Sequence, residues 1–150
     1  MRYAEMQEGK ARERLRAVSA LAFAAMPLWS DAPYEYTATA GGVVFTAGAC
    51  PLDDEGNVVA PGDLEAQAER TVENLRAALA AEGLGFDDVV KLTIYVVGQE
   101  RADLVQVWNV VSPVLGRAPN TLLGVSFLGY PDQLVEIEAI AYRTGSTGAA

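Results

Sequence analysis

Apolar positions recur along this chain with two different periods, and the switches between them divide it into elements. Residues Ala4 to Met26 are dominated by Ala, Leu, Met, Arg and Glu, which reads as a helix that Pro27 stops. Ser30-Asp31-Ala32-Pro33 is a loop. Tyr34 to Ala40 alternates and is rich in Tyr and Thr, the pattern of a strand. Gly41-Gly42 signals a hairpin turn, and Val43 to Ala47 is a second, more apolar strand. A polar turn at Asp53 to Asn57 leads into a short extended piece at Val58-Val59. The period then becomes helical. Asp63 is a plausible N-cap, Leu64, Ala68, Val72, Leu75 and Leu79 share one face, and Glu65, Glu69, Arg70, Glu73 and Arg76 are expected to face out. Gly83 and Gly85 close this helix.

Val89 to Val97 is dense in β-branched residues and reads as a strand. Leu104, Val107, Val111 and Val114 mark a second amphipathic helix, with fraying expected near Pro113. Gly116 to Asn120 is a loop, and Leu122 to Leu128 and Leu134 to Tyr142 are two further strands. The order is β-β-α-β-α-β-β after an N-terminal helix: an α+β layer architecture with two helices on one mostly antiparallel sheet. The expected organisation is a helical extension over 1–32, a domain over 33–143 and a mobile tail over 144–150. The sheet face away from the helices needs a cover, and self-association supplies the simplest one.

Composition narrows the chemistry. Hydrophobic residues make up 51% of the 150, enough for a core in one domain of this length. The net charge of −9 repels phosphate backbones, so nucleic acid is a poor partner. There is no histidine, which excludes Ser-His-Asp and Cys-His catalysis and removes the commonest metal ligand. The single cysteine, Cys50, excludes an intrachain disulfide and a thiolate metal cluster, and its natural reading is a small buried apolar residue. That low cysteine count fits a reducing cytoplasm. The apolar stretch Ala17 to Trp29 is too short to span a bilayer. It follows Arg12, Arg14 and Arg16 like a secretory leader, but Glu5, Glu8 and Glu13 among those arginines favour an amphipathic helix packed on the domain or on a partner.

Four segments carry a more specific signal. They are Ala47-Gly48-Ala49-Cys50-Pro51-Leu52-Asp53, then Asp63 to Leu75 with Gln67 and Asn74, then Asp88-Val89-Val90-Lys91-Leu92-Thr93, then Val135-Glu136-Ile137-Glu138-Ala139-Ile140-Ala141. In this order and spacing the chain, from about Pro33 to Arg143, resembles the RidA/YjgF family, formerly labelled endoribonuclease L-PSP. The resemblance implies the chorismate-mutase-like fold, a homotrimer with clefts between subunits, and cofactor-free hydrolysis of reactive imines or enamines, with no metal. It implies a small-molecule substrate; that neither nucleic acid nor a membrane is a partner is expected from the charge and from the short apolar stretch.

Carried over by position, Glu136 matches the family's water-positioning glutamate, Tyr34 the cleft tyrosine, and Gly48 the glycine beside which substrate passes. Alternation alone puts Glu136 and Glu138 on one face of the last strand, opposite Val135, Ile137 and Ala139. Asn109 matches a helix asparagine that lines some clefts, with Trp108 the alternative at a one-residue shift. The departure is at Ala118-Pro119-Asn120-Thr121, where the family carries Pro-Ala-Arg-(Ser/Thr). Asn120 stands at the carboxylate-binding arginine, without charge or bidentate fork. Arg117, three residues earlier, is the cation nearest to replacing it. Ala47 stands where a serine is usual, and Leu122 where a cysteine often is.

Three functions follow for weighing: an imine or enamine hydrolase of altered substrate range, a non-catalytic metabolite binder or pathway partner using the same cleft, and an RNA-cleaving protein. The acidic surface and the lack of histidine argue against the third.

Overall fold

The computed structural model describes residues 27–145. The expected N-terminal helix and the end of the tail lie outside them. Strands β1 (Thr37–Ala40) and β2 (Val43–Thr46) form a hairpin, followed by helix α1 (Leu64–Ala81), strand β3 (Val89–Val97), helix α2 (Arg101–Leu115), and strands β4 (Asn120–Val125) and β5 (Val135–Tyr142). The sheet order is β1-β2-β5-β3-β4, antiparallel throughout except for the parallel β3–β4 pair. That parallel step needs a crossover, and α2 makes it. The mostly antiparallel α+β reading holds, although strand limits move.

Local chemistry explains each boundary. The Asp63 carboxylate accepts from the Ala66 N–H at 3.0 Å and starts α1. Gly83, at φ +71, lets the chain turn away after it. Asp103 Oδ2 accepts from the N–H groups of Gln99 and Glu100 at 2.7 and 3.1 Å and closes the start of α2. The expected fraying near Pro113 does not occur: α2 continues to Leu115. Proline lacks the N–H that would bond the Asn109 carbonyl one turn back, and Asn109 is exposed, so water can satisfy that group.

Period-2 alternation divides the sheet. Val44, Leu92, Ile94, Val96, Val135, Ile137, Ala139 and Ala141 are buried under Val72, Leu75 and Leu79 of α1 and Val107, Val111 and Leu115 of α2. The opposite face carries Phe45, Thr93, Tyr95, Glu136, Glu138 and Ile140, paired in the register Phe45–Ile140, Thr93–Glu138 and Tyr95–Glu136. No described helix covers that face, and Phe45 there is 45% exposed.

Three expectations are corrected. Tyr34 to Tyr36 lie before β1 rather than in it: regular pairing with β2 begins at Thr37–Thr46, and before it the Tyr36 carbonyl makes one further bond, accepting from the Ala47 N–H at 2.9 Å. The penultimate strand begins at Asn120 and ends at Val125, since its register with Leu92 to Val97 sets its length. Arg70 does not face out. It is buried, and its Nε donates to the Leu52 carbonyl at 2.8 Å.

Candidate functional site

One face of α1 is polar where it should be apolar, and this positions the site. Gln67, Arg70, Thr71 and Asn74 are buried there. Asn74 Nδ2 donates to the carbonyls of Cys50 and Leu52 at 2.8 and 2.9 Å, and Arg70 adds its bond to Leu52. The segment after β2 is thereby tied down, while Ala49 and Ile137 exchange backbone hydrogen bonds of 2.8 and 3.1 Å. Gln67 grips the entry to β5. Its Nε2 donates to the Asp132 carbonyl at 2.9 Å, and its Oε1 accepts from the Leu134 N–H at 2.7 Å. Buried amides are costly unless bonded, so these two side chains are evidence of selected backbone positions.

What they position is Glu136. It is half-buried and leans over Gly48. A Cβ at position 48 would overlap its Oε1 and stand 2.6 Å from its carboxyl carbon, so the glycine is required by close approach. Oε2 accepts from Gln133 Nε2 at 2.9 Å. The Cys50 thiol has two acceptors in reach, the Gly48 carbonyl at 3.4 Å and Glu136 Oε2 at 3.6 Å. Among the described residues, Oε1 has no hydrogen-bond donor.

Beyond Gln133 the cluster is aromatic. The Gln133 side-chain oxygen Oε1 accepts from the Tyr130 N–H at 3.2 Å, and the hydroxyls of Tyr130 and Tyr34 lie 3.1 Å apart. Tyr34 and Tyr36 meet edge to face at 5.8 Å. Burial pushes the Tyr34 phenol above its ordinary range, assisted by its bond to Tyr130 and by the Cys50 sulfur nearby. Burial, and then the Glu136 charge, push the Cys50 thiol up to about 12. At neutral pH that sulfur is therefore a protonated donor, not a nucleophile. On the open face, Tyr95 donates to Glu138 at 2.6 Å, and this bond leads in pushing the phenol up to about 12.

Tyr34, Gly48 and Glu136 thus gather around one corner. Asn120, Arg117 and Asn109 do not join them within the chain. Asn120 pairs with Leu92, whose side chain faces the helices, whereas Glu136 pairs on β3's other side with Tyr95, three residues further along and on the opposite face. Among the described residues, the Asn120 Nδ2 reaches only the Ala118 carbonyl, at 3.3 Å. Arg117 is exposed at the exit of α2, and Asn109 is exposed on α2, a helix on the opposite side of the sheet from Glu136. The alternative, Trp108, packs against the core. Among the described residues, no group of His, Cys, Asp and Glu could hold a metal ion.

The chain has relatives. The model of the endoribonuclease L-PSP family matches residues 25–143. The chain belongs to the RidA/YjgF (endoribonuclease L-PSP) family. A RutC family protein of Pyrococcus abyssi is 34% identical over 112 residues, 74% of this chain and 87% of that one. The 2-iminobutanoate/2-iminopropanoate deaminase of Salmonella typhimurium is 39% identical over 64 residues, 43% of this chain and 49% of that enzyme. Among solved structures, Escherichia coli TdcF with bound serine superimposes with a TM-score of 0.69 at 27% identity, covering 79% of this chain and 94% of that one.

Within this RidA/YjgF protein, three contributors were not visible in sequence: Gln133, Tyr130 and the approach of Cys50 to Glu136. Gln133 precedes β5, where strand alternation does not apply. Asp132, at φ +64, bends the chain just before it. A polar residue wedged between Asp132 and an apolar strand was the available signal, and it does not reveal direction. Cys50 is buried, as its type suggests, but beside a carboxylate rather than in the apolar core.

Proposed function

We propose that this protein hydrolyses a small imine or enamine to its carbonyl compound and ammonia, without a cofactor. The observation carrying this reading is the Glu136 carboxylate: one oxygen held by Gln133, the other over Gly48 with no donor among the described residues. A water at Oε1 gives a proton to the carboxylate as its oxygen bonds the imine carbon. The C=N electrons move to nitrogen, which takes that proton. A second proton passes from the new hydroxyl to nitrogen, the C–N bond breaks, and ammonia leaves. Positioned proton transfer of this kind contributes roughly 10²–10⁴-fold. The Salmonella typhimurium relative named as an iminobutanoate deaminase, and the serine bound by Escherichia coli TdcF, support a small amino-acid-derived substrate.

The site is completed between subunits of a homotrimer. The uncovered sheet face with Phe45 and Ile140 supports association, which also offers a route for Asn120 of one copy to approach Glu136 of another. Substrate range is altered because Asn120 replaces the arginine that the family resemblance expects, and a carboxylate there forgoes charge-assisted bonds of about 1.5–3 kcal/mol each. No described helix is long and apolar enough to cross a membrane, and the single cysteine favours a cytoplasmic setting. The test is ammonia release from imines generated by amino-acid oxidase, comparing wild type with Glu136→Gln. Wild type should exceed the variant about 100-fold or more; equality with the uncatalysed rate for every imine tried would overturn the reading. A second reading, a metabolite binder without chemistry, is favoured by Asn120 itself. It predicts a thermal shift with small carboxylic acids, amines or aromatics and no turnover.

A further inference from the structure

Gln133 occupies an unusual position for a glutamine: 3% exposed, just before a strand, with every polar group of its amide engaged. Nε2 donates to the Val135 carbonyl at 3.2 Å and to Glu136 Oε2 at 2.9 Å. Oε1 accepts from the Tyr130 N–H at 3.2 Å. The amide therefore cannot flip without losing bonds at both ends, since a carbonyl facing Glu136 would meet a carboxylate and a backbone oxygen. Its backbone is as fixed as its side chain. Gln67 of α1 bonds the residue before it, at the Asp132 carbonyl, and the residue after it, at the Leu134 N–H. A continuous set of hydrogen bonds thus runs from a buried helix face, through residues 132–134, to one oxygen of the candidate catalytic acid.

We propose that Gln133 is the positioning residue of Glu136, and that it makes the two carboxylate oxygens unequal. Oε2 is committed to the Gln133 amide, with the Cys50 thiol as a second available donor. Oε1 is thereby directed over Gly48 and left for the attacking water. A glutamate free to rotate about its terminal bond would present either oxygen, and a larger share of conformers would be unproductive; a small misplacement of a catalytic group is costly in rate. Gln133 touches neither water nor substrate in this scheme. It acts through Glu136, and the inference rests on the hydrolase reading above.

The experiment compares wild type with Gln133→Met, which keeps the length and volume of the side chain but removes the donor, by steady-state kinetics and by crystallography of both full-length proteins. The expected kinetic result is a fall in kcat of about tenfold with KM within about twofold, because the transition state loses alignment while binding is unchanged. The expected structural result is a Glu136 side chain that leaves its place over Gly48 or splits into several conformers. A kcat within twofold of wild type, or a rise in KM at constant kcat, overturns the positioning role. So does a Glu136 carboxylate that stays in place in the variant crystal. If wild type itself shows no turnover, the hydrolase reading fails instead, and the crystal comparison still decides whether Gln133 orients Glu136.

Discussion

The family resemblance assigns two stretches to one cleft, and the chain builds them very differently. Around Glu136, almost every polar atom is accounted for. Asn74 and Arg70 hold the segment at Cys50 to Leu52, Gln67 brackets residues 132–134, and Gln133 holds the carboxylate. At the start of β4, Asn120 is exposed and, among the described residues, its amide bonds only the Ala118 carbonyl two residues back, at 3.3 Å. The first stretch is preorganised by buried amides that folding must satisfy. The second carries no such constraint, so substitution there has little cost to stability. On the proposed function, a chain can therefore exchange the residue at the substrate-selecting position while keeping the one proposed to handle water.

The largest expected effect comes from disturbing the built corner at its closest approach. Gly48→Ala places a methyl where Glu136 Oε1 lies. Because the clash is with the end of a side chain, Glu136 swings away and the fold survives. Activity on the best imine substrate should fall about 100-fold, the lower range for losing a positioned proton-transfer group. Wild-type kcat/KM in this variant would break the contrast, for it would mean that the placement of Glu136 over Gly48 is incidental.

Next is the support beneath that corner. Asn74→Ala removes one donor from two carbonyls, those of Cys50 and Leu52. Leu52 keeps Arg70 and Cys50 keeps the Leu52 N–H, so neither is orphaned. The expected loss is about 2 kcal/mol, read as a fall in Tm of roughly 4–8 °C. Asn120→Ala, measured alongside, should change Tm by no more than about 0.5 kcal/mol would. Equal shifts in the two variants would erase the distinction between a built and an unbuilt stretch.

The sequence made these two stretches unequally legible. Strand periodicity located β3 and β5, the Asp63 cap located α1, and alternation put Glu136 and Glu138 together on the face away from the helices. All of these depend on neighbours a few residues apart. What escaped was long-range. Arg70 fits the polar face of an isolated helix, yet it is buried and its Nε bonds the Leu52 carbonyl 18 residues away, a partner that helical spacing does not reveal. Tyr34 to Tyr36 have strand composition, but regular pairing with β2 reaches back only to Thr37, and the Tyr34 hydroxyl meets that of Tyr130, 96 residues away. Gln133 follows a bend that resets the alternation on which the strand reading relied.

Restoring charge to the unbuilt edge comes third. Asn120→Arg returns a forked cation to the position where the family resemblance expects one. On the trimer reading, it should raise kcat/KM for carboxylate-bearing imines about tenfold, equivalent to ~1.4 kcal/mol, and leave uncharged imines unchanged. An equal gain on both substrate classes would indicate a general electrostatic effect, and no gain on either would separate Asn120 from the cleft.

The smallest effect uses Cys50 as a titratable marker of the built corner. Its thiol is raised from 9.0 to about 12, first by burial and then by the Glu136 charge. A folded value above the unfolded one means that the folded protein holds its proton more tightly. The associated stability is complete below about pH 9 and is lost progressively as the pH rises toward 12. Between pH 8 and pH 9.5, wild type should therefore lose about 0.8 kcal/mol more than Cys50→Ala, which has no thiol to ionise. The phenols of Tyr34, Tyr36 and Tyr95 are raised from 10.0 and act in the same direction; their effect begins near the top of that window, but both proteins carry them and it cancels in the difference. Thermal unfolding across the pH series measures the difference. Parallel pH profiles for the two proteins would mean that the Cys50 sulfur is solvated, and that the corner around Glu136 is as open as the edge around Asn120.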